Sequence, residues 1–348
     1  MKDRVKYIDF LKVIAIISVI AMHVNTNIRD YYIASNKLLY FIFTLIDSFP
    51  RAAVPLFLMI TGYLMLDSNK EEKYSDFLRK KVLKLLIPFI CISFIYFCEV
   101  IYNGNLKHPL FDFFKAFSNN EVYYHLWYMY SIIILYLFIP FERILVKNLK
   151  KEDLRNLILL VLIMGNLFTT IKLFSIRYNN TMLIGFTLPD LIIYNNYMLI
   201  GYYIKKYDIK TKVIYLLGIL SLILMPIGDY FIIYDTLRND PFLSALCILP
   251  ALYGIGLFML VKNYYKPIKI KLINKFICNC SKLSLYIYLI HMIFIRLFKK
   301  VIEMKWLHES FIENILFSIL MIIITLIASY LVSKILYFIF KKLLKFTE

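Results

Sequence analysis

Ten stretches of predominantly apolar residues follow one another along the chain, near 8 to 25, 38 to 66, 82 to 102, 123 to 145, 153 to 172, 187 to 204, 212 to 231, 242 to 261, 277 to 298 and 310 to 340. An α-helix needs about 20 such residues to cross a hydrocarbon layer of about 30 Å. A soluble core of this size has no use for so many runs of that length. Hydrophobic residues make up 61% of the 348, and the mean hydropathy is +0.70. The expected fold is therefore all-α: a polytopic transmembrane helix bundle of about ten spans, one membrane domain over 1–348 lying in the lipid bilayer. The leading MKDRVK precedes a run without a small-residue cleavage pattern, so the first span reads as a retained helix and not as a signal peptide. No internal repeat of the kind found in many transporters is visible.

The formal net charge of +18 raises the question of nucleic acid. The lysines are spread among the short loops instead of forming one patch interleaved with aromatics, so no nucleic-acid partner is expected and topology explains the charge. With the N-terminus inside, 27 basic residues fall on inner segments and 11 on outer loops, while Lys12, Arg51 and Lys334 lie within spans. That excess places both termini in the cytoplasm. The five cysteines, Cys91, Cys98, Cys247, Cys278 and Cys280, lie in or beside apolar runs and form no disulfide framework. Cys278 and Cys280 make a CxC without a neighbouring histidine, so no metal site is expected there.

Ionisable groups inside apolar runs are costly and point to function. The first span, DFLKVIAIISVIAMH, holds three of them: Asp9, Lys12 and His23. At about 100° per residue Lys12 and His23 lie about 20° apart around the axis and Asp9 about 60° from Lys12, so they share one face. Lys12 and His23 are about 16 Å apart along the axis, which makes a polar track through the bilayer. In the second span, SFPRAAVPLFLMITGYLM, Pro50 and Pro55 interrupt backbone hydrogen bonding around Arg51. A broken helix of that kind should line a cavity. His125 in YYHLWYMY and His291 in SLYIYLIHMIF are expected near the depth of His23. A lone histidine on an apolar helix is as often a hydrogen-bonded structural residue as a functional one, and the company of Lys12 and Asp9 sets His23 apart. His108 and His308 read as solvated loop residues, and Glu99 and Asp190 as interfacial groups with a lesser claim on the site.

Four of these stretches, DFLKVIAIISVIAMH, RAAVPLFLMITGYL, HLWYMYSIIILYLFIP and SLYIYLIHMIF, resemble in order and spacing the acyltransferase-3 family of integral-membrane O-acyltransferases, over essentially the whole chain. The resemblance implies transfer of an acyl group, usually acetyl, from acyl-CoA to a hydroxyl of a cell-surface polysaccharide, glycolipid or similar sugar acceptor. Acetyl-CoA would be a co-substrate, with no tightly bound cofactor. It also implies a multi-pass protein of the cell membrane, the plasma membrane of a bacterium. The family's first-span pattern is an arginine, ten residues and an essential histidine; here His23 holds the histidine position and Lys12 the basic one. Lysine keeps the charge but lacks the planar fork that grips a phosphate bidentately. Arg51 matches the second-span arginine. Some relatives carry an extracytoplasmic hydrolase-like domain, and the sequence here ends at Glu348, so transfer either finishes in the membrane domain or uses a separate extracytoplasmic partner.

Acyl transfer from a thioester to an alcohol needs a base, donors for the oxyanion and cations for the CoA phosphates. His23 is the candidate base, acting directly or through an acyl-histidine. Arg51 is a catalytic candidate for the oxyanion or the pyrophosphate, and Asp9, Lys12, His125 and His291 are candidates for substrate binding. Asp9, more than about 20 Å below His23, is expected to hold Lys12 instead. Arg79, Lys80, Lys81 and Lys84 are cations available to the nucleotide end of CoA, although such loops are basic in any membrane protein. The competing class is a transporter or flippase for an anionic or glycolipid substrate, which broken helices and midplane charges would suit equally. Release of free CoA separates the two. If the cation at Lys12 serves the donor, Lys12→Arg retains transfer and Lys12→Leu loses it; equal turnover of both variants would show that Lys12 only reaches for the inner interface.

Overall fold

The computed structural model describes residues 5–32, 36–67, 72–103, 108–177, 184–209, 212–233, 242–301 and 311–344. Among them there is no strand. Hydrocarbon offers no hydrogen-bond partners, so a spanning chain must satisfy its backbone internally, and helices do so. The chain runs as α1 (Lys6–Tyr32), α2 (Lys37–Ser48), α3 (Ala53–Met65), α4 (Tyr74–Phe77), α5 (Leu83–Asn103), α6 (Pro109–Ser118), α7 (Trp127–Asn148), α8 (Lys151–Val161), α9 (Phe168–Arg177), α10 (Asp190–Lys206), α11 (Lys212–Ile233), α12 (Ile248–Tyr264), α13 (Lys271–Val301) and α14 (Phe311–Leu343). Short tighter or wider turns join several of these into continuous rods: 3-10 at Phe49–Ala52 and Tyr124–Leu126, and π-type at Leu78–Val82 and Leu162–Leu167. Eight rods among the described residues are long and apolar enough to cross a membrane. The helices α10 and α12, 17 residues each, coincide with the other two expected spans at the lower limit of crossing length.

The second span breaks where the sequence says it should. Pro50 opens the 3-10 turn between α2 and α3. Pro55 lies in the first turn of α3, which continues helically past it to Met65. Two expectations need correcting. The eighth span begins at Ile248 and not at 242, because residues 242–247 are irregular. Their backbone is satisfied by side chains of neighbouring helices: Asn166 Nδ2 donates to the Leu246 carbonyl (3.0 Å), the Tyr197 hydroxyl donates to that of Ala245 (2.6 Å), and the Ile248 N–H donates to Thr170 Oγ1 (2.9 Å). The segment 103 to 121, read as an outer loop, contains α6. That helix buries Phe113 and presents Leu110, Phe111 and Phe114 outward, the signature of a helix lying in the membrane interface.

The first helix is the hub, packing against α2, α3, α12, α13 and α14. The very apolar α14 turns its small polar residues inward: Asn314, Ser318, Thr325, Ser329 and Ser333 are buried, whereas Ile335 and Phe338 face outward. Small residues let membrane helices approach and their polar atoms bond across the interface, as Ser318 Oγ does by donating to Asn25 Oδ1 on α1 (2.5 Å). The tightest crossing is that of α3 and α10. A Cβ on Gly62 would stand 1.9 Å from the Met198 carbonyl oxygen, and one on Gly201 1.9 Å from that of Met59. No side chain fits at either place, so Gly201→Ala must push the two backbones apart. The expected cost is at least the ~1–3 kcal/mol of an overpacked core, read as a lowered midpoint of heat-induced aggregation of the purified protein. Gly185→Ala, where nothing lies within 4 Å, should leave the midpoint unchanged.

Candidate active site

Three histidines from three helical rods meet inside the bundle. His23 comes from the C-terminal half of α1, His125 from the 3-10 turn ahead of α7, and His291 from α13. Ring centroids are 5.3 Å apart for His23 and His291, 5.1 Å for His125 and His291, and 6.4 Å for His23 and His125. His125 and His291 are 1% and 0% exposed. His291 Nδ1 donates to the Tyr288 carbonyl (2.6 Å), which fixes the tautomer and leaves the Nε2 lone pair without a partner among the described residues. The ring of His125 lies against Tyr96, Tyr123 and Tyr288, with no hydrogen bond to either nitrogen among the described residues. Its turn is tied down by the backbone instead, since the Tyr288 hydroxyl donates to the His125 carbonyl.

One residue closes the outer side. Tyr124 is 59% exposed, and its hydroxyl lies 3.4 Å from His23 Nδ1 and 3.6 Å from the Met292 sulfur. An imidazole can act as a base only at the nitrogen that lacks a proton. When His23 Nδ1–H donates to the Tyr124 oxygen, Nε2 is the basic atom. Tyr124 stands directly before His125 in the quoted YYHLWYMY, yet only the fold reveals that it reaches α1.

A charged cluster sits just outside the histidines. Asp47 is fully buried, and its Oδ2 receives Arg29 Nη1 (3.2 Å), Arg51 Nη2 and Thr26 Oγ1 (3.3 Å). Arg29 also forks onto Asp30 Oδ1 through Nε (3.0 Å) and Nη2 (2.9 Å). Arg51 reaches Thr26 as well, at 3.5 Å. Thr26 is three residues beyond His23, about 4.5 Å farther along the axis, so Arg51 lies on the side of the imidazoles toward the C-terminal end of α1. Its charge and that of Lys299 act on His23. Asp47 and Asp30 together balance the two guanidinium groups, and Arg51 is the cation of this cluster that lies closest to the imidazoles. Asp47 was legible in principle, since it precedes Arg51 by one helical turn; Arg29 was not, because a charge near a span end reads as interfacial.

The other candidates lie elsewhere. Asp9 is buried near the opposite end of α1 and accepts a hydrogen bond from Ser281 Oγ (2.6 Å), so it belongs to the α1–α13 contact. Lys12 is half-buried, about 16 Å below His23. Glu99 pairs with Arg296, whose guanidinium covers the Tyr123 and Tyr96 rings at 5.1 and 5.9 Å, at the outer rim of the histidine site. Asp190 and His108 are exposed, and His308 lies outside the described residues. None of the five cysteines is in a disulfide. Among the described residues no group of three His, Cys, Asp or Glu side chains is arranged to hold a metal ion.

Fold and site together define a polytopic α-helical membrane protein with a buried histidine cluster beneath a charged rim. A family model described as an acyltransferase domain matches residues 5–334, nearly the whole chain. The chain belongs to the acyltransferase-3 family. It is also similar to a protein of Enterococcus faecalis described as an amino-acid racemase, 29% identical over 141 residues. That alignment takes in 38% of this chain and 19% of the relative, so the chain spans under a fifth of that protein. No solved structure matches.

Removing the carboxylate from the charged rim should unfold it. Asp47→Ala leaves the buried Arg29 and the partly buried Arg51 without their shared carboxylate, and breaking a buried pair in this way costs about 3–5 kcal/mol. A large fall in the thermal midpoint is expected for Asp47→Ala and a milder one for Thr26→Val, which removes one uncharged donor.

Proposed function

We propose that the chain is an O-acyltransferase moving an acyl group, acetyl in the simplest case, from acyl-CoA to a hydroxyl of a cell-surface polysaccharide, glycolipid or similar sugar acceptor. The observation that carries the reading is the meeting of His23 with His125 and His291 directly beneath Arg51 and Arg29. In this reading His23 Nε2 takes the proton of the acceptor hydroxyl as its oxygen bonds to the thioester carbon. The carbonyl oxygen becomes an oxyanion, which Arg51 is positioned to hold. Collapse breaks the carbon–sulfur bond, and the proton passes from His23 to the CoA thiolate, releasing free CoA and the ester. His125 and His291 are assigned to binding the reactants against the closed floor of the site.

Of the two roles open to Arg51, the oxyanion is favoured over the pyrophosphate. A donor arriving from the cytoplasmic side would meet Lys12 first and His23 about 16 Å later, with Arg51 beyond. An extended pantetheine arm on the order of 15–20 Å spans the first interval, comparable to the axial separation of Lys12 and His23. Cytoplasmic termini, acyl-CoA from within and a sugar hydroxyl from the outer side are parts of the same proposal, as is a plasma-membrane location.

His23→Ala should lower turnover by about 10² to 10⁴ without loss of membrane insertion or abundance, since one neutral imidazole does not decide whether so apolar a helix inserts. Near-normal release of CoA by that variant would remove the mechanism. In sealed vesicles of both orientations, acetyl-CoA should support transfer only from the cytoplasmic face while acceptor is modified on the other. A need for both reactants on the cytoplasmic face would show that the sugar reaches His23 from below.

A further inference from the structure

A second polar cavity lies on the other side of α13. It is a groove of about 340 Å³ at the end of the bundle where α5 begins and α14 ends, lined by Lys84, Lys282, Lys341, Tyr286, Tyr337 and leucines. The start of α1 lies at the same end, since Lys6 and Asp9 share a neighbouring groove with Lys275 and Cys278 of α13. Three ammonium groups from three helices thus face one cavity, and among the described residues its lining contains no acidic side chain. Lys282 is exposed, and its Nζ sits 4.5 Å from the centre of the Tyr337 ring. Tyr286 is edge-on to Tyr337, with centroids 6.1 Å apart, and stacks on Phe340 at 5.8 Å, so the aromatic wall is rigid.

The chemistry of this groove is that of a phosphate site with phenol hydroxyls beside it, and two molecules carry such a phosphate: CoA and an anionic phospholipid. Helix geometry decides between them. Lys282 and His291 are nine residues apart on α13, about 180° around the axis and about 14 Å along it. The groove therefore faces away from the imidazoles, and a nucleotide anchored in it would have α13 between its thioester and His23. Beside Lys341, about 60° around α14, lies Phe338, which is 69% exposed and suited to contact with an acyl chain. Basic pockets between helices at a membrane interface are a recurrent way of holding anionic lipid headgroups. We propose that the groove of Lys84, Lys282 and Lys341 holds the phosphate of an anionic phospholipid in the inner leaflet, seating the junction of α5, α13 and α14.

Native mass spectrometry of the full chain from nanodiscs tests this without reference to activity. With phosphatidylglycerol the wild type should retain a lipid adduct that saturating free CoA does not displace, and with phosphatidylcholine it should not. Each lysine near an anionic lipid contributes about fivefold, so K282Q/K341Q should weaken retention about thirty-fold, and K282R/K341R should restore it. Displacement of the adduct by CoA would assign the groove to the nucleotide. Equal retention of both lipids, or an unchanged adduct in K282Q/K341Q, would reduce the lysines to ordinary interfacial charges. The wild-type comparisons stand even if the glutamine variant does not fold, and a failed acyl-transfer assay would leave every one of these outcomes readable.

Discussion

A charge in hydrocarbon needs a counter-charge within reach, and Asp47 meets that need for two arginines at once. Its carboxylate ties α1, through Arg29 and Thr26, to the break between α2 and α3, through Arg51. Interactions of this kind are weak evidence for stability, because desolvating three charged groups offsets much of their attraction. Their value lies in register: with the carboxylate in place, Arg51 can sit only one turn outside His23. A second buried carboxylate continues the polar seam, since Asp229 of α11 accepts from Tyr40 (2.7 Å) and Thr44 (3.4 Å) on α2. The half of the bundle that holds the C-terminal end of α1 is thereby assembled around polar contacts, while small residues and glycines set the helix spacings elsewhere.

The site depends on places where helices are not regular. Arg51 stands in the 3-10 turn that Pro50 opens, and His125 in the 3-10 turn ahead of α7. Irregular backbone at membrane depth is tolerated only where protein surrounds it, and here it is surrounded by the very elements it serves. Tyr288 shows the economy of the arrangement: its hydroxyl holds the turn of His125 and its carbonyl holds the ring of His291. Two imidazoles are thus oriented from one turn of α13, and His23 is brought to them by the packing of α1 on that helix.

The two ends of α1 have different work. Near its start, Asp9 takes the Ser281 hydroxyl and Lys12 is half-buried, features of a helix contact at a basic interface. Near its end it carries His23, Thr26 and Arg29 within two turns, facing an exposed tyrosine and the Arg296–Glu99 pair. The polar track read along one face of this helix is therefore two separate polar regions joined by an apolar middle of Ala15, Ile16, Val19 and Ile20, all buried.

The sequence by itself determined the class. Apolar runs of crossing length leave no alternative to a helical membrane bundle, and ionisable residues inside those runs marked His23, Arg51, His125 and His291, because burying such groups without purpose is costly. The proline at position 50 announced the broken second span for an equally local reason, the missing N–H. Local pattern could not say which helices touch. That His23, His125 and His291 form one cluster, that Arg29 belongs with Asp47 and Arg51, and that Tyr124 reaches back to α1 were decided by tertiary packing alone. Periodicity fixes the angle of a residue around its own helix; the partner that angle meets depends on how helices distant in the chain are arranged, and no window of sequence carries that.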